Sequence, residues 1–272
     1  MADLRIAAAQ LNSHDDVAKN LDAVRQVVAD AKASAAACVV LPENFAFMGG
    51  TDEERRSAAE RLSGDGPIMT TLRAVAREHA ITVVGGGFPE QTGDPARPHN
   101  TCVVVDTRGE VAGAYRKIHL FDVDVADGQT YRESAAVTPG SELVVVDIGG
   151  MKVGLSVCYD LRFPELYRLL AAKGADVLLV PAAFTLMTGK DHWHTLLRAR
   201  AIENQCYVVA AAQWGKHPKG RQTYGKSLIV DPWGDVVAQA EEGAPRLATA
   251  TLRRERVASV RGAMPCASHR RL

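Results

Sequence analysis

GLSVCYDLRFPEL, residues 154–166, decides how this chain is read. The apolar run Met151 to Val157 reads as a strand that stops on Cys158, and Phe163 and Pro164 then open an amphipathic segment carrying Leu166, Leu169 and Leu170. The thiol therefore falls on a strand-to-helix turn. At such a turn a side chain is exposed at the strand's carboxyl end. The free N–H groups and the positive end of the helix lower a thiol's pKa and favour anionic oxygen nearby. Most free cysteines are simply small buried apolar residues. Cys38, Cys102 and Cys206, each beside a Val-rich or Tyr-Val-Val run, fit that description. Cys158 does not, because Tyr159, Asp160 and Arg162 follow it at once and a core position has no need of them.

A nucleophilic thiol needs a base and an electrophilic clamp, and two other apolar runs end on a charge. In CVVLPENF the strand Cys38 to Leu41 gives way to Pro42 and Glu43, and in VAGAYRKIHLFD Lys117 follows a strand-like stretch among Tyr115, Ile118 and Leu120. Ligands of α/β proteins gather at the carboxyl ends of strands. A lysine among apolar neighbours is partly desolvated, which strengthens its field on an oxyanion. A lone Glu after Leu-Pro or a lone Lys is ordinarily a loop or surface charge. Three strand ends carrying Glu, Lys and Cys in one chain are a different matter.

With those residues in view, the chain resembles the nitrilase superfamily of carbon–nitrogen hydrolases. The likeness covers nearly the whole sequence: RIAAAQL at Arg5–Leu11, VVLPENF around Glu43, YRKIHLFD around Lys117, YRESAAVTPG around Glu133 and SVCYDLRFPEL around Cys158. The resemblance implies that Glu43 is the general base, Lys117 stabilises the tetrahedral intermediate, Cys158 is the acylated nucleophile and Glu133 is a supporting glutamate. It also implies an α/β fold, an α-β-β-α four-layer sandwich of two mixed sheets flanked by helices, and pairing into a homodimer or larger even homo-oligomer. Within the family it is most similar to the Nit branch, through Pro181–His217 and YGKSLIVDPWG at Tyr224–Gly234. LRARAIENQCYVVAAAQ and SLIVDPWG point to the type that hydrolyses deaminated glutathione, ahead of the ω-amidase type acting on α-ketoglutaramate.

The chemistry also follows from the residue types. The thiolate is the attacking species and an unperturbed thiol has a pKa of about 8.5, so a carboxylate that takes its proton raises the reactive fraction at neutral pH. Glu43 would deprotonate Cys158 as it adds to an amide carbon, Lys117 and the Tyr159 N–H would hold the oxyanion, and Glu43 would return the proton to departing ammonia. Water activated by the same carboxylate would cleave the thioester. No metal or cofactor is required. For substrate choice, Arg162 either binds a carboxylate through its planar guanidinium or pairs with Asp160 or Glu165. Phe184, Thr188 and His192 are further substrate-binding candidates, with His192 read as opening a helix that it caps or packs.

The 272 residues read as one carbon–nitrogen hydrolase domain, 1–272, with a short basic tail from about Arg253 that is solvated or docked on a partner. Gly85 to Pro98 reads as a surface loop. Lys plus Arg and Asp plus Glu number 32 each, which removes a global electrostatic case for nucleic acid or an anionic membrane and leaves a small-molecule amide as the expected partner. Five irregularly spaced cysteines lack the paired short spacings of a zinc site. Reduced thiols, no leader-like start and no apolar run near the roughly 18 residues of a membrane span point to a cytoplasmic protein. Helices are expected at Val17–Ala35, Pro67–His79, Phe163–Lys173 and Asp191–Asn204, between twelve strands. A carbamoylase-like hydrolase, a redox-sensing thiol protein and a non-catalytic scaffold are the competing readings.

Overall fold

The computed structural model describes residues 3–49, 51–124 and 130–271. The chain runs β1 (Leu4–Leu11), α1 (Val17–Ala33), β2 (Cys38–Val40), α2 (Asp52–Ser57), α3 (Pro67–His79), β3 (Thr82–Glu90), β4 (His99–Val105), β5 (Val111–Arg116), β6 (Asp122–Asp124) and β7 (Thr130–Arg132). It continues with β8 (Val145–Ile148), β9 (Met151–Leu155), α4 (Pro164–Ala172), β10 (Val177–Leu179), α5 (Leu186–Asn204), β11 (Tyr207–Ala210), β12 (Ala212–Lys216), β13 (Gln222–Tyr224), β14 (Leu228–Val230), β15 (Val236–Gln239), β16 (Arg246–Leu252), α6 (Arg254–Ala263) and α7 (Cys266–His269).

The period-2 alternation of strands sorts the apolar residues into two cores. Along β1, Leu4, Ile6 and Ala8 join the core that also holds Val153, Leu155 and Leu179 of the other sheet, whereas Ala7, Ala9 and Leu11 join Val24, Val28 and Leu72 of α1 and α3. Cys38 and Val40 against Val39, and Cys102 and Val104 against Val103 and Val105, divide the same way. One sheet is thus apolar on both faces. It packs a second sheet on one side and helices on the other. The second sheet carries Leu166, Leu170, Trp193 and Leu197 of α4 and α5 in the same continuous core, which completes the α-β-β-α sandwich.

The first sheet has the order β13-β12-β1-β2-β3-β4-β5 with β16 antiparallel along β1, and the second β15-β14-β11-β10-β9-β8. Both are mixed. β1, β2 and β3 are parallel, as are β9, β10 and β11. β5 is antiparallel to β4, which is antiparallel to β3, so β2 and β5 end on the same side. The sheets meet beyond these ends, where Ala182 bridges Ala212. Gly86 is required at that junction, since a Cβ there would lie 1.9 Å from the Leu41 carbonyl oxygen and 2.3 Å from Pro181 Cβ.

Several expectations change. Gly85 to Glu90 is buried strand with a bulge, so the loop there is confined to residues 91–98. Helix α5 begins at Leu186 rather than Asp191, which puts His192 inside the helix. The tail from Arg253 is docked over its first half, where α6 buries Val257 and Val260 against its own chain and Arg256 and Arg261 pair with Asp231 and Asp176; residues 262–271 are exposed, as a solvated end would be. Helix α2 and strands β6, β7 and β13 are additional, short and mostly exposed elements. Among the described residues no helix is long and apolar enough to cross a membrane.

Candidate active site

Strand ends deliver the three key side chains. Glu43 follows β2, Lys117 follows β5 and Cys158 follows β9, and all three line one cavity of about 420 Å³. The sulfur's residue is 8% exposed and sits on a 3₁₀ turn, Cys158–Arg162, with a φ of 49°. A left-handed conformation costs a non-glycine residue about 1 kcal/mol or more, and such strain clusters at functional sites. The surroundings impose it. Cys158 N–H donates to Pro181 O at 2.9 Å, Val157 N–H to Asp160 Oδ2 at 2.8 Å, and the buried Arg200 guanidinium clamps Leu161 O at 2.7 and 3.1 Å. Tyr159 N–H, second in the turn, has no acceptor within it.

Asp160 is fully buried and accepts from Tyr115 Oη–H at 2.7 Å, His119 N–H at 3.1 Å and Val157 N–H, with His119 Nδ1 at 2.7 Å. It thereby ties the turn after β9 to the segment after β5. That segment carries Lys117.

Lys117 is 2% exposed and donates to Glu43 Oε1 at 3.0 Å and to Glu133 Oε2 and Oε1 at 2.8 and 3.1 Å. Glu133 stands on a 3₁₀ turn after β7 and also accepts from Phe121 N–H at 2.7 Å. Glu43 accepts from Asn100 Nδ2 at 2.9 Å and, through Oε2, from Ala183 N–H at 3.0 Å. Asn100 reaches Glu133 as well, at 3.4 Å. It is a site residue that sequence reading missed, because an Asn inside β4 looks like any polar strand position.

The charges set each other. Burial alone would raise the Glu43 pKa, but the Lys117 ammonium, with smaller help from Arg221, holds the carboxyl well below the usual range at about 2. Burial pulls Lys117 down, and the Glu133 and Glu43 carboxylates more than reverse this, leaving it above its ordinary value. Burial, then the Glu43 charge, pushes the Cys158 thiol up, opposite to the lowered pKa expected of a helix start. The resting pair is an ionised carboxylate beside a neutral thiol.

Among the substrate-binding candidates, Arg162, Phe184 and Thr188 line the cavity. His192 does not; it is exposed, and its Nδ1 lies 3.3 Å from Arg162 Nη1, so it meets the cavity only through that arginine. Arg162 pairs with neither Asp160 nor Glu165. Its guanidinium lies 5.0 Å from the Phe184 ring centroid and 6.0 Å from that of Tyr159, and no carboxylate among the described residues bridges it. The described residues include no cluster of His, Cys, Asp and Glu arranged to hold a metal ion.

Comparison with known proteins agrees with this geometry. The chain is 44% identical to the deaminated glutathione amidase of Synechocystis sp., with 97% of each chain covered. It superposes on the crystal structure of the Caenorhabditis elegans NitFhit protein with a TM-score of 0.93 and 41% identity, covering 100% of this chain and 66% of that one. A mutant of the Nesterenkonia sp. AN1 amidase, showing Michael addition of acrylamide at its active-site cysteine, aligns at 29% identity and a TM-score of 0.78, with 96% and 98% covered. The carbon-nitrogen hydrolase model matches residues 5–262, and the chain therefore belongs to that family, the carbon–nitrogen hydrolases of the nitrilase superfamily.

Proposed function

We propose that this protein is a thiol amidase acting on a small carboxylated amide of the deaminated glutathione type. One observation carries the assignment: an ionised carboxylate, a buried ammonium and a thiol share a single cavity at the carboxyl ends of three strands. Glu43 takes the S–H proton as Cys158 Sγ bonds to the amide carbon, so no free thiolate has to form beforehand. The oxyanion receives a direct hydrogen bond from Tyr159 N–H. Lys117, whose protons are shared among three carboxylate oxygens, acts on it chiefly through charge.

Collapse breaks the C–N bond, and Glu43 hands its proton to the leaving nitrogen. A primary amide releases ammonia; deaminated glutathione, whose scissile nitrogen belongs to cysteine, releases the dipeptide amine. Water then gives a proton to Glu43 and its oxygen to the thioester carbon, and the sulfur leaves and recovers the proton. Glu133 fixes the Lys117 ammonium throughout. Arg162, which no carboxylate among the described residues pairs and which sits near the Phe184 ring, reads a substrate carboxylate, with Thr188 lining the same cavity.

We also propose that residues 1–272 work as one domain. Outward Leu169 on α4 and Ile202 on α5, each 50% exposed, support a paired assembly through those helices. Five free thiols fit a reducing, cytoplasmic setting. The decisive experiment offers purified protein deaminated glutathione and α-ketoglutaramate. Faster turnover of the former, with a Cys158-bound acyl adduct in intact mass, is the expected result. Preference for α-ketoglutaramate would move the assignment to the ω-amidase type, and no product or adduct from either would reject it.

A further inference from the structure

The cavity holds more positive charge than one substrate carboxylate can use. Besides Arg162, the guanidinium groups of Arg55 and Arg221 line it, and they come from different elements, α2 and the segment before β13. Arg55 Nε and Nη2 and Arg221 Nε are buried with no hydrogen-bond partner among the described residues. Buried donors to charged groups are costly to leave unmade, and they persist where a ligand completes them.

Arg221 is held in place. Its Nη2 donates to Ala183 O at 3.0 Å and its guanidinium lies 5.5 Å from the Tyr131 ring centroid, which leaves Nε as a buried donor with no partner among the described residues. Arg55 has neither anchor. The nearest carboxylate of its helix that lines the cavity is Asp52, three residues earlier and exposed, and it forms no ion pair with Arg55. Arg162, by contrast, sits against Phe184 and Tyr159.

We propose that Arg55 and Arg221 form a second anion subsite, which binds the carboxylate on the leaving-group side of the scissile amide while Arg162 takes the one on the acyl side. This deepens the amidase assignment and rests on it. It makes the enzyme select amides that carry an anion at both ends.

The test pairs deaminated glutathione with the analogue whose glycine carboxylate is replaced by a carboxamide. For the wild-type enzyme kcat/KM should favour the free acid by roughly tenfold or more, the worth of a charge-assisted hydrogen bond. Arg55→Gln should bring the two substrates to within about twofold of each other, and Arg55→Lys should recover part of the preference. Arg221→Gln should act the same way; because Arg221 also holds Ala183, Arg55→Gln carries the test if that variant fails to fold. A wild-type enzyme indifferent to the carboxamide, or an Arg55→Gln enzyme that keeps the full preference, overturns the subsite while leaving the amidase intact. No turnover of either compound by the wild type overturns both.

Discussion

Lys117 Nζ stands 3.0 Å from Glu43 Oε1, with side-chain exposures of 2% and 3%. Removing one member of a buried pair leaves an uncompensated charge, which typically costs about 3–5 kcal/mol. Lys117→Met strands two carboxylates, Glu43 and Glu133, and should lose stability in that range in denaturant unfolding, together with activity. The double variant Lys117→Met/Glu43→Gln should regain part of the loss. If the double variant is no more stable than Lys117→Met, the pair is not what balances this cavity.

The pH dependence follows from opposite shifts. The Glu43 pKa falls from 4.5 to about 2 on folding, so its charge contributes stability that is fully present above pH 4.5 and disappears as pH drops towards 2. Any acid limb of kcat/KM that lies above pH 4.5 must therefore come from another group. The Cys158 thiol is pushed well above its ordinary value. In a Cys266→Ser background, which removes the exposed cysteine, alkylation at Cys158 should still be rising with pH beyond that value. Glu43→Gln removes one cause of the upward shift, so the thiol should ionise at lower pH while hydrolysis falls by roughly 10²–10⁴. A more easily ionised thiol with unimpaired turnover would show that Glu43 is not the base.

Cys158, Glu43 and Lys117 were legible because each ends an apolar run, a break that the strand period makes visible. Glu133 lies in a stretch without such a period and was reached only through family resemblance. Asn100, Arg55 and Arg221 carry no local signal at all; tertiary contacts between distant segments give them their place. The tail misled for a related reason. Its arginines dominate the composition, and they hide the i, i+3 pair Val257 and Val260, whose face packs on the body.

Asp160 should matter to stability more than its position two residues after Cys158 suggests. It is completely buried and satisfies Tyr115 Oη–H, His119 N–H and Val157 N–H. Asp160→Ala orphans all of them, and each stranded donor costs roughly 1–3 kcal/mol. Thermal unfolding should register a loss of at least about 3 kcal/mol. Asp160→Asn, which keeps an acceptor, should be milder. Equal effects of the two would argue that the side chain's volume, not its hydrogen bonds, is what the turn needs.

The tail helix yields the last expectation. Val257 and Val260 are 2% and 4% exposed, Arg256 Nη2 lies 2.7 Å from Asp231 Oδ2, and Gln205 Nε2 donates to Met264 O at 2.6 Å. A solvated tail would have no such contacts, so its removal would cost nothing. A docked one makes Val257→Ala lose about 2 kcal/mol, from roughly 0.8 kcal/mol per buried methylene plus the cavity left behind. Ser259→Ala, on the exposed face of the same helix, should change stability by less than about 0.5 kcal/mol. Urea midpoints for the two variants separate the cases: a large shift for Val257→Ala alone places the helix in the folded unit, whereas two equally small shifts mean the contacts contribute nothing in solution.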